Sequence, residues 1–278
     1  MGQEALHFSS LSGQFIRTTP NSAKTAFFRN GSTVTLIVGV ICGDGVVIGA
    51  DSIATAGTAI EHHVSDKITI EEDDVIVACS GSAGLSQLIK EELSGRWHEF
   101  KLNQSVKDVR AFVSEAMYSQ IEPSAKRAKS AGRAFGGCET LVALPLVNAP
   151  ALFQFNALAD SFEITAEFPY VSIGSGRSQA DPFLAFIKRI LWRGQAPIST
   201  RVAIFGVLWT LQHVSTVNAG LGVGEPHWIA VLEKRGRSWI AEKLSEGELS
   251  EHRQAIVDAE DALRRFGEGS NYGLPMPN

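Results

Sequence analysis

Strand-like stretches, two amphipathic helices, strands again, two more helices and closing strands follow one another along this chain, and few architectures accept that order. Thr33–Cys42 is apolar and β-branched, Gly43-Asp44-Gly45 makes a tight turn, and Val46–Ile53 follows; a Gly-Asp-Gly between two such runs signals a hairpin. Lys67–Glu71 alternates, with Ile68 and Ile70 on one face, and Val75–Ser80 forms the next strand beyond the turn Glu72-Asp73-Asp74. The period then becomes helical. Leu85, Leu88, Ile89 and Leu93 line one face opposite Lys90, Glu91 and Glu92, predicting a helix over 84–101, and a second helix over 105–128 turns Val106, Val109, Val113 and Met117 inward. Strands return at Thr140–Leu146, Ala151–Leu158, Phe162–Phe168 and Tyr170–Ile173, helices at 178–193 and 199–217, and strands at Trp228–Glu233 and Trp239–Lys243 before a charged helix over 246–265. The pattern is that of an α+β layered sandwich with helix pairs on the outer faces of two sheets.

The remaining composition narrows the function. With 44% hydrophobic residues and 25 Lys+Arg against 30 Asp+Glu, the chain has a folded protein's make-up and a net charge of −5. No Lys/Arg cluster offers a footing for nucleic acid. The longest apolar runs, Leu36–Ile41 and Val202–Trp209, fall far short of the roughly 20 residues that span a bilayer, so no membrane partner is expected. Cys42, Cys79 and Cys138 have no CxxC spacing, which argues against a disulfide framework or a zinc site and fits a reducing, cytoplasmic setting. Residues 1–34 carry Arg17, Lys24 and Arg29 against Glu4, are rich in Ser, Thr and Gly, and lack the unbroken apolar stretch of a secretory signal. They read as a leader or flexible extension ahead of a single domain over 35–278.

Most candidate sites have plain structural readings. His62-His63 has no third ligand spaced for a metal and reads as a pair of solvated loop histidines, and Gly81-Ser82-Ala83-Gly84 lacks the Lys-Ser/Thr of a phosphate loop. Gly174-Ser175-Gly176 lacks the spacing of a nucleophile elbow, and the three cysteines lie in or beside apolar strands, where thiols are usually inert. One constellation remains. Thr35 heads the first strand, followed by Asp51, Lys67 and Gly81 near the ends of later strands. A Thr hydroxyl, a Lys and an Asp brought within reach make a nucleophile set, although a Lys–Asp pair is as readily a structural ion bridge.

The segment from Thr35 through Gly43-Asp44-Gly45 to Asp51-Ser52 resembles the opening of a proteasome-type subunit, of the bacterial proteasome-homologue kind. His63-Val-Ser-Asp-Lys67-Ile68 and Ile76-Val-Ala-Cys-Ser-Gly81-Ser-Ala-Gly84 resemble that family's next two blocks without a gap, and the likeness runs over about 35–235. It implies the four-layer αββα sandwich of two antiparallel sheets found in N-terminal-nucleophile hydrolases, and a threonine-type endopeptidase needing no cofactor or metal. Thr35 would be the nucleophile, its freed α-amine the base, Lys67 the group tuning that centre, Asp51 its holder, Gly81 the oxyanion donor and Ser175 the support of the amine. Cys79 would lie beside the substrate side-chain pocket. The partners implied are unfolded polypeptides, a doubled homo-oligomeric ring and an ATPase unfoldase, and Phe183, Phe186 and Trp192 look left over for neighbouring subunits. Two positions depart from the family: Val34 replaces the usual Gly, and Asn218 stands in a loop where an Asp and a Ser are usual. The rivals are a non-catalytic ring or scaffold subunit that keeps its extension, and a small-amide hydrolase on the same fold.

Overall fold

The computed structural model describes residues 35–56, 59–64, 66–99, 105–147, 149–194, 197–217 and 225–267, with backbone only over 53–64. Two five-stranded antiparallel sheets lie face to face. The first is built from β1 (Ile37–Ile41), β2 (Gly45–Asp51), β10 (Tyr170–Ile173), β11 (His227–Arg235) and β12 (Ser238–Lys243), in the order β10-β1-β2-β11-β12. The second runs β5-β6-β7-β8-β9, from β5 (Ile68–Glu71), β6 (Val75–Gly81), β7 (Cys138–Pro145), β8 (Pro150–Phe155) and β9 (Ser161–Ile164). A hairpin of β3 (Ile53–Ala56) and β4 (Ala59–Val64) stands apart from both.

Alternation along the strands divides the core into layers. In β2, Val46, Ile48 and Ala50 point into the space between the sheets, where they meet Ile37, Ile76, Ala78 and Leu141. Val47 on the other face packs under α3 (Arg177–Ile190), α4 (Thr200–Val217) and α5 (Glu246–Gly267). On the far side, Val75, Val77 and Cys79 of β6 pack under α1 (Ala83–Arg96) and α2 (Val106–Ser130). Both faces of each sheet are therefore covered, which explains why β1 and β2 read as continuous apolar runs rather than alternating ones. The expected four-layer α+β sandwich is the observed one.

Three local expectations need correction. The helix expected over 84–101 ends at Arg96, where Trp97–Glu99 tighten into a 3-10 turn, with Trp97 buried edge-on to Phe112. His62-His63 belong to a strand, β4, rather than a loop. Phe183, Phe186 and Trp192 are used within the chain: Trp192 is buried, Phe183 stacks on His213 and meets Trp209 edge-on, and Phe186 stacks on Phe183. The helix face that seemed spare is covered by α4.

Candidate active site

The candidate residues converge where the two sheets meet at one end. Asp51 closes β2 and is fully buried, and one of its oxygens accepts two hydrogen bonds, from the Leu36 N–H at 2.8 Å and from Lys67 Nζ at 2.6 Å. The Asp51 N–H returns a bond to the Leu36 carbonyl at 3.1 Å. Lys67, just before β5, is held through its own carbonyl, which accepts from the Cys79 N–H at 3.2 Å. The pair thus ties the head of β1 to the second sheet. Burial pulls the Lys67 ammonium below its ordinary value, and Asp51 pulls it back. A buried pair of this kind survives only while both partners remain.

Thr35 stands two residues ahead of β1 and is buried. Its N–H donates to Ser175 Oγ at 3.2 Å, and its carbonyl accepts from the Gly176 N–H at 3.2 Å. The turn that makes these contacts joins β10 to α3. It needs glycine at 174, whose φ is +93° and whose missing side chain leaves room for the Thr35 carbonyl and the Ser80 hydroxyl. Gly81 has a similar requirement. With φ at +132°, any side chain there would collide with the Gly137 carbonyl just ahead of β7. Its place at the end of β6, opposite Cys138, follows from that close approach.

Thr35, Asp51, Lys67 and Ser175 are therefore linked by direct or one-residue hydrogen-bonded steps, and Gly81 ends the strand that carries Cys79. Cys79 itself lies under α1, with its sulfur 3.5 Å from Thr140 Oγ1. A hydrogen bond with Cys138, reinforced by burial, raises the Cys79 thiol well above its ordinary value, so it stays neutral. Asn218 and residues 1–34 fall outside the described residues. Among the described residues no cluster of three or more His, Cys, Asp or Glu side chains could hold a metal ion, and no helix is long and apolar enough to cross a membrane.

His227 joins the site without any sequence signal to mark it. It opens β11 directly opposite Asp51 and is buried. Ser215 spends its hydroxyl proton on the Leu211 carbonyl at 2.8 Å, so at 3.0 Å it accepts from His227 Nε2. That fixes a neutral imidazole whose Nδ1 has no hydrogen-bond partner. Burial, with Arg253 adding to it, lowers the His227 pKa to about 4. Above pH 6.5 both folded and unfolded chains hold this ring neutral. As pH falls from 6.5 toward 4 the unfolded chain takes up the proton first, and folding stability drops by about 3 kcal/mol. Urea unfolding of His227→Gln, which can still donate to Ser215, is expected to show that much less acid sensitivity than wild type over this range. An equal slope in both proteins would contradict the assignment.

Known proteins resemble this chain in sequence and in fold. The family model described as Proteasome subunit matches residues 29–185. Proteasome subunit beta type-6 of Arabidopsis thaliana is 46% identical over 57 residues, 20% of this chain and 24% of that protein. Proteasome subunit beta type-7 of Dictyostelium discoideum is 28% identical over 150 residues, 54% of this chain and 51% of its own length. The chain thus spans about half or less of the curated relatives it matches. Among solved structures, the Anbu complex from Pseudomonas aeruginosa superposes with a TM-score of 0.65 at 21% identity, over 88% of this chain and 98% of that one. Anbu, an ancestral beta-subunit, from Yersinia bercovieri gives 0.64 at 18% identity, over 87% and 100%. At such identities the structural likeness shows the fold, while the family model covers more than half of the 278 residues. The chain belongs to the proteasome subunit family.

Proposed function

We propose that this protein is a threonine-type endopeptidase that works after loss of residues 1–34, with Thr35 as its N-terminal nucleophile. The observation that carries the reading is the hydrogen-bonded chain Lys67–Asp51–Leu36 beside the Ser175–Thr35 contact. In support of it, a buried cation and its counter-ion are bonded to the residue next to Thr35, and a glycine-flanked serine accepts from the Thr35 nitrogen. The Thr35 hydroxyl attacks a substrate carbonyl, and its α-amine, with an ordinary pKa of about 7.7–8, takes the hydroxyl proton and passes it to the departing amine. Water then hydrolyses the ester by the same route in reverse roles. Lys67 lowers the energy of the deprotonated hydroxyl, Asp51 holds Lys67, and Ser175 accepts from the amine. The Gly81 N–H faces the developing oxyanion, a role typically worth about 3–4 kcal/mol. Processing uses the Thr35 hydroxyl, Lys67 and the Gly81 N–H, with the Val34 carbonyl as substrate, while the Thr35 nitrogen is still an amide and takes no part as base. Val34 is β-branched and resists the turn that attack on its own carbonyl needs, so this first cut is slow.

Cys79 is assigned to the floor of the adjoining side-chain pocket. A neutral thiol there favours medium apolar residues and gives nothing to pair with a charge. The substrates are unfolded polypeptides or peptides. A repeated heterologous contact between copies closes into a ring or opens into a helix. The Anbu complex from Pseudomonas aeruginosa forms a helical assembly, whereas for this chain the closed form, a doubled homo-oligomeric ring, is proposed from the family resemblance. The test pairs light scattering with a peptide panel. A particle many times the 29.9 kDa chain that cuts fastest after apolar residues is expected. A monomer, or fastest cleavage after Arg or Asp, contradicts the reading.

A further inference from the structure

The turn that holds Thr35 is itself gripped from the opposite sheet. Glu139 lies on β7 and reaches across to the first sheet, where one carboxylate oxygen accepts from the Gly174 N–H at 3.3 Å. The other oxygen accepts from Arg177 at 3.2 Å and from Gln154 at 3.5 Å. Arg177, in the first turn of α3, also donates through Nε to the Ser172 carbonyl at 2.6 Å. Ser172 in turn donates to Asp181 one turn further along α3. These bonds bracket the turn 174–176 on both sides: Ser172 before it, Arg177 after it, and Glu139 at its first residue. Gly174 and Gly176 are the residues packed against Thr35, and Ser175 between them accepts from the Thr35 nitrogen.

We propose that Glu139, braced by Arg177, is a positioning residue that sets the 174–176 turn against Thr35 and thereby fixes the Ser175 contact with the Thr35 nitrogen. Glu139 touches no reacting atom, and its ion pair with Arg177 is half-exposed, so little stability is expected from it. Its effect is geometric. A glycine-flanked turn has wide backbone freedom, and one carboxylate accepting from both the Gly174 N–H and Arg177 Nη2 removes much of it. The inference rests on the proposed function, since it assigns Glu139 to the same nitrogen that serves there as base.

Among the described residues, the charged groups tied by hydrogen bonds to the turn and to the residue after Thr35 are Asp51 from β2, Lys67 from the head of β5, Glu139 from β7, and Arg177 and Asp181 from α3. Ser175 accepts from the Thr35 nitrogen and so favours its protonated form. Loosening the turn removes that acceptor and lowers the amine pKa.

The test compares Glu139→Ala and Glu139→Gln with wild type, the latter keeping an oxygen to accept from Gly174. For Glu139→Ala we expect kcat to fall roughly 10- to 100-fold, the scale that a small misplacement of reacting groups produces, with KM changed less than twofold. The acidic limb of the kcat/KM profile moves to lower pH, and Glu139→Gln recovers most of the rate. Hydrogen exchange gives a readout independent of activity: the amides of the 174–176 turn lose protection in Glu139→Ala, while β7 keeps its own. Unchanged exchange there, or a raised KM with an unmoved pH limb, overturns the inference. If the wild type cuts no peptide, the proposed function fails, and the exchange result still decides whether Glu139 sets the turn.

Discussion

Lys67→Ala is expected to abolish peptide cleavage, leave residues 1–34 attached, and destabilise the fold by about 3–5 kcal/mol, the usual cost of leaving one member of a buried ion pair alone. Asp51 is fully buried, and a neutral N–H donor such as that of Leu36 does not replace the cation it loses. The head of β1 would loosen with it, because Asp51 and Leu36 bond each other in both directions. A stability loss alone could silence the protein, so a second variant separates the two effects. Lys67→Met with Asp51→Leu removes both charges and fills similar volume, a change that is often neutral or stabilising in buried pairs. That double variant should fold, as judged by urea unfolding, and still fail to process or cut. A folded double variant with wild-type activity would remove Lys67 from the chemistry and leave it a structural ion bridge.

Thr35→Ala carries the other large effect. It keeps every backbone contact of Thr35, including the bonds with Ser175 and Gly176, and deletes only the hydroxyl and a methyl group. Folding stability should change by less than about 1 kcal/mol. Cleavage of peptides should fall to background, and the leader should remain on every copy, because the same hydroxyl attacks the Val34 carbonyl. Thr35→Ser restores a hydroxyl and should recover part of both activities. Activity in Thr35→Ala above a few per cent of wild type would mean that another residue supplies the nucleophile.

Much of this arrangement is legible in the sequence because it rests on local signals. The Gly43-Asp44-Gly45 turn and the apolar runs beside it declare the β1–β2 hairpin, and the spacing of Leu85, Ile89 and Leu93 declares α1; all three leucine and isoleucine positions are buried. Strand spacing brings Thr35, Asp51, Lys67 and Gly81 into view as strand-end residues, and the resemblance to the family's three blocks supplies their expected roles. The β3–β4 hairpin escaped because Ile53–Val64 is rich in Ala, Thr and polar residues and lacks an apolar alternation. Glu139 and His227 escaped for a different reason. Glu139 meets Arg177 38 positions away across two sheets, and His227 meets Asp51 through strand order, so no period or spacing marks either. Phe183 and Phe186 misled because an amphipathic helix shows which face is apolar, not what covers it.

While Val34 is attached, the nitrogen of Thr35 is an amide with no useful basicity, so the hydroxyl has no base within its own residue. Cleavage turns that nitrogen into an amine titrating near neutrality, where general bases are most effective. The account therefore stands on one number, the intact mass of the active protein, measured together with its first residue and its rate on an apolar peptide. It predicts that activity rises in step with a 244-residue species beginning at Thr35, the 278-residue chain less its first 34. Full activity with residues 1–34 still covalently attached would contradict it.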